Sequence, residues 1–238
     1  MFTYKGRTSD EMFLKIESGL DFSSPARDIN LLAVPGRDGD VVLDNGRYNS
    51  VVRTVPCRLF LPENSNIENA VENIHNWLNV DIGYHDFEWS GDSDFVYKAL
   101  VHESFNTHRV LNKYGRIVLN FRLHPIKYLR SSLTERSVQN NTNIQNPYNI
   151  DAKPLIRILG SGNIIIRVAG QELRLRGIAN GGCIVDSETQ TITSLDGRMT
   201  LFDRMESYPF PVLRPGNNTI TAHNGVQLFI TPRLGALV

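Results

Sequence analysis

The sequence predicts a mainly β protein in two parts: an α+β amino-terminal domain with one helix, then an antiparallel β-sandwich. Three observations carry this reading. Short runs of β-branched and apolar residues recur along the chain, bounded by Gly, Pro, Asn and Asp. Helical periodicity occurs once, over about residues 66–79. After Pro154, strand and turn signals follow one another closely with no helical period, as in a sandwich rather than in alternating strand–helix units.

Taken in order, Met12–Ile16 reads as a strand opening the fold. A turn-rich stretch follows, Ala33-Val34-Pro35-Gly36-Arg37-Asp38-Gly39-Asp40. Pro presets φ and Gly accepts φ > 0, so Pro35-Gly36 and Asp38-Gly39 are turn dipeptides. Asn45-Gly46 is a two-residue hairpin signal. The two turns bracket Val41-Val42-Leu43 and predict a projecting hairpin with a polar tip, running to Tyr48; an ordinary solvent hairpin fits the same residues. Val51–Leu61 reads as a strand in which Pro56 demands an edge or a bulge. The helix then starts with Ser65 as N-cap and Glu68 three residues on, a capping-box spacing. Ile67, Ala70, Val71, Ile74, Trp77 and Leu78 form its apolar stripe, and Glu68, Asn69, Glu72, Asn73 and Asn76 lie opposite. Such a helix lies on a sheet, with its stripe in the core.

Tyr84–Trp89, Phe95–Val101 and Gly115–Leu123 continue the first set of strands. Ser131–Asp151 is rich in amides and poor in apolar residues, which predicts a linker or a long surface loop. The boundary is set near its start, giving domains 1–132 and 133–238. Strands are then expected at Pro154–Leu159, Asn163–Val168, Glu172–Arg176, Gly182–Asp186, Thr191–Thr193, Thr219–Ala222 and Val226–Ile230. Gly160-Ser161-Gly162 and Ala169-Gly170 are read as hairpin turns between them.

The 238 residues suffice for real hydrophobic cores. Lys plus Arg number 25 and Asp plus Glu 25, so the formal net charge is zero. Nucleic-acid binders carry a basic excess because phosphate contacts dominate their affinity, so tight DNA or RNA binding is not expected. Cys57 and Cys183 sit in apolar stretches and read as buried thiols, with nothing to suggest a disulfide. The amino terminus lacks a signal pattern, and no apolar run approaches the ~20 residues of a membrane span. A soluble chain made in a cytoplasm, with no membrane insertion, is the expectation.

Motifs that would carry chemistry do not assemble. His75, His85, His102, His108, His124 and His223 form no i, i+4 pair with one another, and no Cys-x-x-Cys exists, so no metal site is expected. Asp38, Asp40 and Asp44 suggest a calcium loop, but Val41-Val42-Leu43 occupies its middle. No nucleophile elbow, P-loop or dinucleotide fingerprint occurs. By elimination the chain is a binding or structural protein with no catalytic residues and no cofactor. A carbohydrate-binding module is the alternative. It wants an exposed aromatic platform, and the carboxy-terminal half offers only Tyr208, Phe202, Phe210 and Phe229 after Tyr148, with Phe229 expected to face inward.

Two stretches together resemble the distal tail protein (Dit) family of long-tailed phages of Gram-positive bacteria. The first is Val34-Pro35-Gly36-Arg37-Asp38-Gly39 with Tyr48 and the Val51–Leu61 strand. The second is Ala152–Gly162 with Phe210–Ile220 downstream; the helix ending Ile74-His75-Asn76-Trp77-Leu78 lies where that family carries its helix. The resemblance covers nearly the whole chain in the right order. It implies an amino-terminal split-barrel-like domain, a carboxy-terminal galectin-like sandwich and no catalytic site. It also implies a homo-hexameric ring at the virion tail tip, assembled in the host cytoplasm. That ring would join the tail-tube protein to the tail-associated hub or tip protein, pass DNA without specific binding, and carry receptor-binding or other baseplate proteins for host adsorption. Zero net charge suits such a channel, and a closed ring covers exposed sheet edges. On this reading the hairpin reaches the neighbouring subunit: Arg37 and Asp38 make cross-subunit polar contacts, Gly36 and Gly39 set the turn, and Tyr48 belongs to the same interface.

Overall fold

A computed structural model describes residues 1–17, 23–105, 107–111, 113–179, 181–222 and 225–238, with 107–111 described by backbone alone. The chain is mainly β, as expected, and divides into two compact units: Met1–Lys127 with Leu237–Val238, and Tyr128–Ala236.

The first unit begins with β1 (Phe2–Tyr4), β2 (Arg7–Thr8) and β3 (Leu14–Ile16), then β4 (Arg27–Leu32), β5 (Val41–Tyr48) and β6 (Val51–Phe60). After α1 (Ile67–Asn79) come β7 (His85–Trp89), β8 (Phe95–Leu100), β9 (Thr107–Leu111), β10 (Tyr114–Leu123) and β11 (Ile126–Leu129), through which the chain leaves the unit. The main sheet runs β2-β1-β7-β8-β10-β6-β3, with β9 also on β10. Strict alternation places Val51, Val55, Cys57 and Leu59 of β6, and Ile117, Leu119, Phe121 and Leu123 of β10, on one buried face. The stripe of α1 covers that face: Ile67, Ala70, Ile74, Trp77 and Leu78 are buried, and Val71 packs at the margin. Trp77 stacks on Phe2 with centroids 5.8 Å apart and donates its indole N–H to the Tyr4 carbonyl at 2.9 Å.

Several expectations change. Only Leu14–Ile16 of the first predicted strand is extended, because Phe13 turns with φ 58°. Asn66, not Ser65, caps the helix: its Oδ1 accepts from the Glu68 N–H at 2.9 Å. Asn45-Gly46 does not turn the chain. It forms a bulge within β5, where Asn45, Gly46 and Arg47 stand opposite Asp28 alone. Pro56 lies in a paired strand, with its carbonyl accepting from Glu17 N–H at 2.8 Å. Its missing N–H falls on that same β3 side, just past the last paired residues, Ile16 and Cys57, so no bond to β10 is lost.

The second unit contains β12 (Arg136–Val138), β13 (Thr142–Asn146), β14 (Leu155–Leu159), β15 (Gly162–Val168), β16 (Gln171–Ile178), β17 (Gly182–Asp186), β18 (Thr191–Ser194), β19 (Gly216–Ala222) and β20 (Gln227–Thr231). The chain returns through β21 (Gly235–Leu237). Two antiparallel sheets, β12-β20-β14-β17-β18 and β13-β19-β15-β16, share one core that includes Ile156, Ile158, Val185 and Ile230 from the first and Ile144, Ile166, Leu175 and Ile220 from the second.

The amide-rich stretch is therefore neither linker nor long loop. β13 lies within it, with Ile144 and Asn146 turned inward. Buried Asn146 donates to the carbonyls of Ile150 and Leu213 at 2.9 and 3.0 Å, and buried Asn218 holds the Arg214–Gly216 turn, so these amides are structural pins. Gly160-Ser161-Gly162 is not a hairpin turn either. β14 and β15 belong to different sheets, and the segment crosses between them. Ala169-Gly170 is the hairpin turn expected, with φ of 50° and 78°. Phe229 does not face inward: Leu228 and Ile230 do, and the half-buried Phe229 ring lies 4.0 Å under the Arg157 guanidinium.

Candidate assembly interface

Strands β4 and β5 form a two-stranded sheet of their own, and none of their residues belongs to the unit's core. The partner of Val41–Tyr48 is thus the upstream segment Arg27–Leu32, and the tip is Ala33–Asp40. A hairpin without a third strand or a covering helix is marginal in water, and here the sequence adds apolar weight. Cross-strand pairing puts Ile29, Leu31, Val42 and Asp44 on one face, and Asn30, Leu32, Val41 and Leu43 on the other. Ile29, Leu31, Leu32, Val34, Val42 and Leu43 are all exposed.

Polar groups at the base of the hairpin fix its direction. On one side Arg27 donates to the Asp44 carboxylate (Nε 2.9 Å) and to the Tyr48 hydroxyl at 3.0 Å, with its guanidinium 5.2 Å from the Tyr48 ring. On the other, Asp28 accepts from Asn45 at 3.1 Å and from Arg47 at 2.5 Å. The hydrogen bond from Arg27 holds the Asp44 carboxyl below the usual carboxylate range, and that from Arg47 does the same for Asp28. Asn49 N–H closes the base on Ala26 O at 2.8 Å.

At the tip, Val34-Pro35-Gly36-Arg37 is a β-turn closed by Arg37 N–H to Val34 O at 3.2 Å, with Gly36 at φ 80°. Gly39 has φ 75°. A Cβ at either glycine would meet nothing within 4 Å, so backbone conformation alone requires them. Among the described residues, no side-chain hydrogen bond or ion pair engages Arg37, Asp38 or Asp40. The structure thus gathers Gly36, Arg37, Asp38 and Gly39 at one end of the hairpin and places Tyr48 at the other.

The apolar faces between them were not foreseen as a surface. Their signal was present in two consecutive apolar runs, Leu31–Val34 and Val41–Leu43, flanking the turn. Runs of that kind read equally as a strand buried on both sides.

Elsewhere, His75 stacks on Phe105 at 4.3 Å, and His85 Nε2 lies 3.2 Å from Asp81. The side chain of His108 and all of His223 lie outside the described residues. Among the described residues no three His, Cys, Asp or Glu side chains converge as metal ligands. Cys57 and Cys183 are free and buried, and burial pushes each thiol up to about 12.

No protein-family model and no curated protein matches this chain. Among solved structures, it superposes on the Dit protein (gp 19.1) of SPP1 with a TM-score of 0.74 and 14% identity, over 96% of each chain. That protein is described as a paradigm of the hub adsorption apparatus in phages infecting Gram-positive bacteria. Two structures of the phage p2 baseplate in its activated conformation, with Ca and with Sr, match loosely, at TM-scores of 0.47 and 0.48. Both have 10% identity and cover 92% of this chain and 90% of theirs. The chain therefore shares the fold of that Dit protein over 96% of its length.

Proposed function

We propose that this chain is a distal tail protein, the structural hub at the tip of a long phage tail, with no enzymatic role. The observation that carries the reading is the fold shared end to end with SPP1 Dit. The hairpin supports it: a domain that displays six large apolar side chains on one hairpin, five on its two strands and Val34 at its tip, is built to be covered. We further propose that six copies close a ring through their amino-terminal units, each hairpin reaching the next copy. The second units then stand free to carry receptor-binding or other baseplate proteins. The ring joins the tail-tube protein to the tail-associated hub protein and lets DNA through, which a chain of zero net charge permits without trapping phosphate.

Light scattering and native mass spectrometry of the purified full-length chain test this. The expected species is a closed hexamer of 26.9 kDa subunits that also binds the tail-tube protein of the same phage. A chain that remains single at high concentration and is absent from purified tails sinks the proposal.

A further inference from the structure

We infer that the hairpin of one copy lands on the outer face of the β3–β6–β10 sheet of the next copy, over a row of three cations. The inference rests on the ring reading above and names the surface that receives the hairpin. The inner face of this sheet carries the core and α1. Among the described residues nothing covers its outer face, and the register orders it into rows. Phe60 stands beside Tyr114, their rings edge to face at 5.4 Å. The next row is Lys15, Arg58 and Arg116, on three adjacent strands. Then come Pro56 beside Val118, Thr54 beside Asn120, and Val52 beside Arg122. Val52, Phe60, Tyr114 and Val118 are 40%, 42%, 46% and 47% exposed, a large apolar share for an outer sheet face.

Like charges on directly opposed residues destabilise a sheet, and this row places three abreast. Their counter-charges are fewer. Asp10 pairs with Lys15 at 2.8 Å, while Arg58 and Arg116 share the single carboxylate of Glu17, at 2.5 and 3.6 Å. One positive charge is left over.

The hairpin carries the complement. Its tip holds Arg37 against Asp38 and Asp40, one surplus negative charge, with no ion pair to any of the three among the described residues. The spacing also agrees. Val118 lies two residues beyond Arg116 of the cation row along β10, and Val42 lies two residues beyond Asp40. Each step spans about 7 Å along an extended chain. With Leu31 and Val42 seated on Val118 and Pro56, the tip acids fall on Lys15, Arg58 and Arg116. Donor and acceptor patches are different parts of one chain, so a head-to-tail contact of this kind can repeat around a ring.

Charge reversal tests this on the full-length chain. Arg58→Glu with Arg116→Glu is one variant, Asp38→Arg with Asp40→Arg the second, and all four changes together the third. Circular dichroism melts check that each folds. Native mass spectrometry then reads the assembled fraction over a dilution series. Each one-sided variant should need about tenfold more protein to assemble, and the four-fold variant should recover most of that loss. Wild-type rings with both one-sided variants assembling equally well overturn this inference and leave the ring reading standing, as does a four-fold variant no better than its parents. A wild-type chain that stays single removes the ring reading and this contact together. Mixing Val42→Cys with Val118→Cys chains supplies a positional readout: under oxidation a cross-linked pair is expected, and its absence in assembled rings counts against the contact.

Discussion

Replacing Leu31 and Val42 by serine separates the hairpin's role in assembly from any role in folding. The two residues are cross-strand partners, and each is 60% exposed. Full burial of such side chains is worth about 1.5–3 kcal/mol each. A neighbour that covers the remaining three-fifths therefore contributes about 1–2 kcal/mol per residue, or about 2–4 kcal/mol for the pair. The double variant should dissociate at a concentration roughly 30- to 900-fold higher than wild type. In the single chain the same positions touch little, so unfolding should shift by no more than about 0.5 kcal/mol. Analytical ultracentrifugation gives the first quantity, and urea denaturation of the dissociated chain gives the second. An unchanged dissociation concentration would refute the argument that these faces are covered by another copy. A large loss of stability in the single chain would show that they serve the fold itself.

Two further outcomes follow from the structure. Asn66→Ala should destabilise the first unit by about 1 kcal/mol in urea melts, since it removes the bond to the Glu68 N–H, whereas Ser65→Ala should be close to neutral. The second concerns acid. Burial pushes the carboxyls of Asp92 and Asp186 up, but bonds from Lys127 and Tyr97 to the first, and from Arg233 to the second, outweigh it and hold both below the ordinary carboxylate range. A folded-state value below the unfolded one means each pair contributes fully above the usual carboxylate pKa and is lost as pH falls through the depressed folded values. Urea midpoints should therefore fall steeply below about pH 4, and Asp92→Asn with Asp186→Asn should be less stable at neutrality and flatter in acid. A wild-type midpoint that does not move between neutrality and strong acid contradicts the assignment.

Much of the fold could be read from single residues because it depends on local periodicity. The α1 stripe and the alternation in β6 and β10 need only the 3.6- and 2-residue repeats, and every residue of that stripe packs in or against the core. Short elements were harder. Phe2–Tyr4 is only three residues, yet Phe2 and Tyr4 rank among the most buried side chains of the first unit. Three residues define no period, so nothing local separates such a strand from a frayed end. The amide-rich stretch misled for a related reason: Asn146 favours a turn by composition, and only the Ile150 and Leu213 carbonyls it bonds make its burial favourable.

The hairpin shows where local reading stops. Pro35-Gly36 and Asp38-Gly39 announce sharp bends because φ is a property of one residue, and the bends are there. Asn45-Gly46 carries as strong a turn signal, yet it becomes a bulge because Arg27–Leu32 pairs across it. The choice of partner strand belongs to the whole chain. From the sequence alone came a mainly β class, one core-facing helix, the turn at the hairpin tip and the order of motifs that points to a tail protein. The tertiary structure alone decided that β4 and β5 stand outside the main sheet, that five large apolar side chains on them are exposed, and that Lys15, Arg58 and Arg116 line up across three strands. Register between distant segments sets each of these, and register is fixed by the packing of the whole unit rather than by any residue's own preference.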